Sequence, residues 1–199
     1  AELEDSLKLL RTDHFDLYQL HAMTTEEDLE VATGPGGALE VLVKAREEGL
    51  VRHLGFSAHS AEVAIELMNR FDFDSVLFPV NFTTWFESGF GPQIMNEAEK
   101  RGVARLALKG AAHHALEDPN QRVREKCWYA PIEDQNLLKM ALRWTLSQPI
   151  TAAIPPGDPE LWQMAVEVAQ KFTPVTADEE EQLRENARGR KPLFELAHA

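Results

Sequence analysis

His21 closes the apolar run that begins at Phe15, and four further apolar runs also end in small or polar residues. Ser57, Ala58 and His59 follow the second run, Asn81 the third, Lys109 and Gly110 the fourth, and Pro155, Pro156 and Gly157 the fifth. Imidazole, hydroxyl, amide and ammonium groups all donate hydrogen bonds, and the first three also accept. If the runs are parallel strands, these residues converge from distant segments at one end of a sheet, where α/β proteins bind ligands. Each has a plainer alternative: His21 packed against backbone, Ser57 entering a helix, Asn81 bracing a turn, Lys109 solvated in a loop.

Other chemistries lack their residues. The Gly34–Gly37 stretch is not continued by the Lys and Ser/Thr of a phosphate loop, and reads as a flexible turn. GxGxxG, HExxH, CxxC and GxSxG are all absent. His113 and His114 are adjacent and have no spaced carboxylate or thiolate to complete a metal site, so no metal is expected. Cys127 is the single cysteine, which excludes an intrachain disulfide and favours a reducing compartment; a cytoplasmic location is the expectation. A net charge of -13 argues against nucleic acid or an anionic membrane as partner, yet leaves room for a small anion in a local basic pocket. The segment Arg122–Tyr129 is locally basic, and is expected either to cover a cofactor phosphate or to be a solvated loop around a buried Trp128. No apolar run approaches the roughly 20 residues of a membrane span. The opening residues, ELEDSLKLLRTD after Ala1, read as the middle of a helix, so a preceding region is expected to be missing, and a targeting segment would be lost with it.

The elements that must position these groups alternate. The runs 15–20, 53–57, 75–80, 104–109 and 151–154 are nearly continuous in apolar character, as strands buried on both faces are. Between them lie helix signals. Leu39, Leu42 and Val43 share a face before Gly49, Ser60 is placed to cap a helix carrying Ala64, Leu67 and Met68, and Pro92 and Gly102 bracket another. Leu138, Ala141, Leu142 and Thr145 mark a helix before Pro149, Asp158-Pro159 opens the next, and Thr176 with Glu179 opens an acidic last one. Alternating β and α with buried strands means parallel βαβ units. Both a doubly wound open sheet and a (β/α)8 TIM barrel fit, although the barrel typically needs about 250 residues. The chain reads as one domain, residues 1–199, with a terminal helix and tail over 176–199.

Several stretches resemble the aldo-keto reductase family. SLKLLRTDHFDLYQLH, Ser6 to His21, is similar to that family's approach to its fourth barrel strand. GLVRHLGFSAHS resembles the fifth strand, FPVNF the sixth, RGVARLALKG the seventh and ITAAIPPGDPELWQMA the eighth with its helix. The resemblance implies an α/β (β/α)8 barrel of which this chain supplies strands four to eight. It implies hydride transfer from NADPH to an aldehyde or ketone, with His21 orienting and polarising the carbonyl oxygen. The family's other catalytic residues, Asp, Tyr and Lys, precede its fourth strand and are not in this sequence. The cofactor would meet Ser57, Ala58, Asn81, Leu108, Lys109, Gly110, Pro156 and Gly157. Ala58 stands where Asn is frequent, Phe82 where Gln is, Leu108 where Tyr is, and Met164 near a common Asn, so NADP rather than NAD is an expectation of the family alone. As a fragment the chain is expected to be inactive. The alternatives are a non-catalytic, cofactor-sensing or channel-associated subunit of the same fold, and a decayed product whose open sheet edges aggregate.

Overall fold

The computed structural model describes residues 2–196. Helix α1 (Glu2–Leu10) leads into β1 (Phe15–Met23), followed by α2 (Glu26–Thr33), α3 (Ala38–Glu47), β2 (Val51–Ala58) and α4 (Ala61–Arg70). Then come β3 (Ser75–Pro79), α5 (Phe82–Glu87), α6 (Pro92–Arg101) and β4 (Ala104–Leu108). A small hairpin, β5 (Ala112–His114) with β6 (Ala130–Pro131), precedes α7 (Gln135–Ser147), β7 (Ala152–Ala153), α8 (Pro159–Gln170) and α9 (Ala177–Ala187).

The five expected strands form one parallel sheet in the order β1-β2-β3-β4-β7. Neighbours in space are therefore neighbours in the chain, which excludes the doubly wound arrangement, whose strand order reverses. Right-handed crossovers that always step the same way place their helices on one face. Burial follows from this. Leu54, Phe56, Val76, Phe78 and Ala107 point into the helix layer and are at most 1% exposed. The opposite parity forms a second face. Its rows run Gln19, Gly55, Ser75, Ala104 and then Ser57, Leu77, Leu106, Ala152. Leu77, Ala104, Leu106 and Leu108 are only half-buried there.

The helix signals act as expected. Ser60 accepts from the Val63 amide, Asp158 from those of Glu160 and Leu161 with Pro159 in the first turn, and Thr176 and Glu179 close a capping box. Gly102, at φ 71°, ends α6. Three features differ from the sequence reading. Strand β1 runs past Leu20 to Met23, while β7 shrinks to two residues. Helix α2 opens on a capping box, Thr25 with Asp28. Helix α5 forms from β-branched and aromatic residues because Asn81 caps it.

One glycine is fixed by close approach. A Cβ on Gly55 would stand 2.2 Å from Ser75 Oγ and 2.9 Å from the Ser75 carbonyl oxygen. Gly55→Ala is expected to cost about 2 kcal/mol as an overpacking change, lowering the melting temperature by about 4–8 °C. An unchanged calorimetric melt would show that the two strands have room to part there.

Candidate functional site

The first site residue is aimed by a bulge. Pairing between β1 and β2 steps from Leu20–Phe56 to Met23–Ala58, so β1 carries one extra residue at His21-Ala22. Ala22 takes φ 55°, a conformation a non-glycine residue adopts only when its surroundings enforce it. The enforcing contact is Ser57, whose Oγ accepts from the Ala22 amide at 2.7 Å. Ser57 is 6% exposed, and its own hydroxyl proton remains free to donate. His21 is thus exposed at the strand end while the serine beneath it holds the backbone. Ala58, next along β2, is fully buried.

The β3 and β4 ends are built around Asn81. This residue is fully buried, accepts from the Thr84 amide at 3.0 Å, and donates to the carbonyls of Ala112 (2.5 Å) and Lys109 (3.3 Å). Its amide thus braces backbone from both sides, the plainer of the two readings its sequence position allows. What it braces is the Lys109 turn, which carries φ 69°. Gly110 follows because a Cβ there would come within 3.1 Å of Thr145 Oγ1, whose hydroxyl donates to Val80 O. Leu108 shares the half-buried face, in register with Pro79. Gly110 and Pro156 also help to line an apolar cavity of about 260 Å³ between β4, β7, α7 and α8, whereas Gly157 is exposed.

The loop after β4 differs from expectation. Trp128 is 44% exposed, and the buried residues are its neighbours Cys127 and Tyr129. Burial, with Cys127 beside it, raises the Tyr129 phenol well above its usual range. Arg124, the natural phosphate ligand of the segment, is committed to Glu133, Asp158 and Glu160. The loop's contribution to the mouth is aromatic instead. The Lys109 ammonium lies 5.0 Å from the Trp128 ring centroid and 4.8 Å from that of Tyr129. Burial pushes this amine below the ordinary lysine value.

Two further residues reach the mouth: His59, one of the residues that follow the second apolar run, and Phe194, which the sequence reading did not single out. His59, half-buried, stacks on Phe194 with centroids 4.6 Å apart and rings 14° from parallel. Burial lowers its pKa, and the charges of Lys109 and His21 lower it further. Phe194 arrives on the tail after α9, which is tied down by Gly189 N–H donating to Glu87, Leu193 N–H donating to Thr84 Oγ1 and Ser88 Oγ donating to Phe194 O. Away from the mouth, His113 bonds Asn186 at 2.8 Å and lies edge-on to His114. Among the described residues, no three His, Cys, Asp or Glu side chains gather as a cation site, and no helix is long and apolar enough to cross a membrane.

The Aldo/keto reductase family model matches residues 1–191. An uncharacterized oxidoreductase of Bacillus subtilis (strain 168), YqkF, is 22% identical over 181 residues, covering 81% of this chain and 56% of its own length. The holo form of aldo-keto reductase AKR11C1 from Bacillus halodurans superposes with a TM-score of 0.63 at 20% identity, over 96% of this chain and 65% of the other. An aldo-keto reductase from Klebsiella pneumoniae in complex with NADPH gives 0.66 at 17%, over 98% and 67%. The chain therefore spans a little over half of the curated relative and about two thirds of the solved ones.

Burial lowers the pKa of His59, His113 and His114 alike. Below about pH 6.5 the unfolded chain takes up protons that these folded imidazoles refuse, so stability is full above that pH and is lost as pH falls through the window beneath it. Urea midpoints at pH 7.5 and 5.5 should differ more for the wild type than for a His59→Gln/His113→Gln variant. Equal differences would remove these histidines as the cause.

Proposed function

The chain belongs to the aldo/keto reductase family, and from that premise we propose that it forms the cofactor-side wall and His21 corner of an NADPH-dependent carbonyl reductase. The observation that carries this reading is the shared face. His21, Ser57 and Leu108 lie at the strand ends on the half-buried side of the sheet, with the Lys109 turn beside them. On this reading β1, β2, β3, β4 and β7 are strands four to eight of a (β/α)8 barrel. The half-buried face would be its inner wall, and the outer edges of β1 and β7 would be where further strands pair.

The residues present suit a nicotinamide cofactor in part. The Ser57 hydroxyl keeps a proton to donate and Leu108 offers an aliphatic surface, whereas Gly110 is packed against Thr145 on the helix-covered side. Arg124, being fully engaged, would not hold a phosphate. NADPH, when bound, supplies the hydride. His21 donates a hydrogen bond to the carbonyl oxygen as negative charge builds there, and the bulge held by Ser57 fixes its direction. Ser57 acts on the reaction through that bulge as well as through any contact of its own.

The proton that completes the alcohol needs a donor. The sequence has two tyrosines. Tyr129 is buried against Cys127, and the Tyr18 ring packs 5.4 Å from Phe15. We therefore assign the Tyr, Lys and Asp of the catalytic set to segments preceding the fourth strand. The 199-residue chain alone would be a binding unit with no turnover. The same packing of both tyrosines favours the second reading, a cofactor-sensing subunit that never reduces a carbonyl.

The chain should quench or shift NADPH fluorescence, yet consume no NADPH with a panel of aliphatic and aromatic aldehydes. Turnover that His21→Ala abolishes would contradict the assignment of the proton donor to other segments. Absence of NADPH binding would contradict the cofactor-side reading.

A further inference from the structure

Two adjacent histidines with no metal to hold stand where the C-terminal tail is fastened. His113 and His114 lie on β5, and the hairpin meets the end of α9 and the tail beyond it. His113 Nε2 donates to Asn186 Oδ1 at 2.8 Å, and the Ala115 amide donates to the Lys191 carbonyl at 2.9 Å. Arg190 Nε donates to the Asn186 carbonyl at 2.7 Å. Asn186 therefore holds the first imidazole with its side chain and the Arg190 guanidinium with its backbone. The two imidazoles meet edge-on with centroids 4.9 Å apart, and the Phe82 ring lies 6.0 Å from that of His113. Nδ1 of His114 is buried and has no hydrogen-bond partner among the described residues.

This is a poor place for positive charge. With Asn186 Oδ1 accepting, His113 carries its proton on Nε2, and a second proton on Nδ1 would charge a ring next to His114. The bond to Asn186 favours the charged ring, but burial outweighs it, and Arg190 and His114 act with burial. A proton on His114 Nδ1 would be a buried donor with nothing to receive it. Burial and Arg190 lower the pKa of His114 against a smaller pull from Glu117. Freeing the tail returns these rings to water. The closed tail is thus favoured in full above about pH 6.5 and loses that advantage as pH falls through the window beneath. Glu87, which accepts from the Gly189 amide, Glu117 and His59 also face the tail or its clasp. Burial lowers the pKa of His59 in the same sense. The tail's own charges are Arg188, paired with Glu185, and Arg190, Lys191 and Glu195.

We propose that His113 and His114 form an acid-released clasp for the tail over residues 188–196, so that protonating the pair lifts Phe194 from His59 and uncovers the strand-end mouth. The tail is built to open by itself. Residues 190–196 belong to no helix or strand, and the remaining ties are single hydrogen bonds to side chains or from them: Gly189 to Glu87, Leu193 to Thr84 and Ser88 to the Phe194 carbonyl. Where the reductase reading holds, the clasp regulates access to that site, and the clasp itself does not depend on that reading.

Amide hydrogen exchange of the whole chain at pH 7.5 and 5.5, corrected for the intrinsic rate at each pH, reads the clasp directly. The amides of Ala115, Gly189 and Leu193 should lose about tenfold in protection at the lower pH. They should also stay less protected than those of Phe56 and Val76 in the sheet at both pH values, the mark of a tail that opens while the sheet is folded. In a His113→Gln/His114→Gln variant the loss should shrink to about twofold, with His59 supplying the remainder. Thermal melts check that this variant is folded. If it is not, His114→Gln alone takes its place and should reduce the loss to about threefold. Unchanged tail protection, a loss that persists in the variant, one that appears only below about pH 4.5 in the carboxylate range, or tail protection equal to that of the sheet would overturn the proposal. Neither cofactor nor carbonyl compound enters the experiment, so its outcome and that of the reductase reading are independent.

Discussion

A parallel sheet whose strands follow chain order can be covered by its own right-handed crossovers on one face only. That constraint organises the molecule. It explains why Leu54, Phe56, Val76 and Phe78 are sealed under helices while Leu77, Leu106 and Leu108, one residue out of phase, stay half-buried. It also explains why polar groups can stand in the other face at all. Gln19 reaches across to Ser75 Oγ at 3.4 Å and Gly55 keeps space between them, a row that no helix packs against.

The strand ends convert this geometry into a site. Two backbone distortions do the aiming, Ala22 at φ 55° and Lys109 at φ 69°. Each is held by a buried polar side chain from another strand end: Ser57 accepts from the Ala22 amide, and Asn81 ties down the Lys109 and Ala112 carbonyls. Strain of about 1–3 kcal/mol per such residue persists only where neighbours over-determine it. Here the neighbours do so on both sides of the mouth. The tail then brings Phe194 onto His59, and the loop after β4 brings Trp128 under Lys109.

Local signals made much of this legible in the sequence. Strands β1 to β4 announced themselves as apolar runs because helices bury one parity and neighbouring strands partly shield the other. Ser60, Asp158 and Thr176 announced their helices because N-caps are read from the chain alone. Helix α5 was hidden, since TTWF has the composition of a strand and only the Asn81 cap turns it helical. The bulge at His21-Ala22 was hidden too, because it depends on Ser57, 35 residues away. Ser57 and Asn81 both stand at strand ends as read from the sequence, and the hydrogen bonds of Asn81 go to backbone, as its turn-bracing alternative has it. The alternative of a solvated loop around a buried Trp128 does not hold, because Trp128 is exposed while Cys127 and Tyr129 take the interior. Phe194 had no local signal, since its place is set by contacts of the tail with α5.

The central claim is that the half-buried face near His21, Ser57 and Leu108 is where a nicotinamide cofactor lies. Isotope-edited nuclear Overhauser measurements on the chain with NADP+ test it most directly. The account predicts contacts from the nicotinamide ring protons to the Leu108 methyls and the Ser57 β-protons. Contacts confined to the helix-covered side, for example to Leu142 or Leu146 around the apolar cavity, would contradict it.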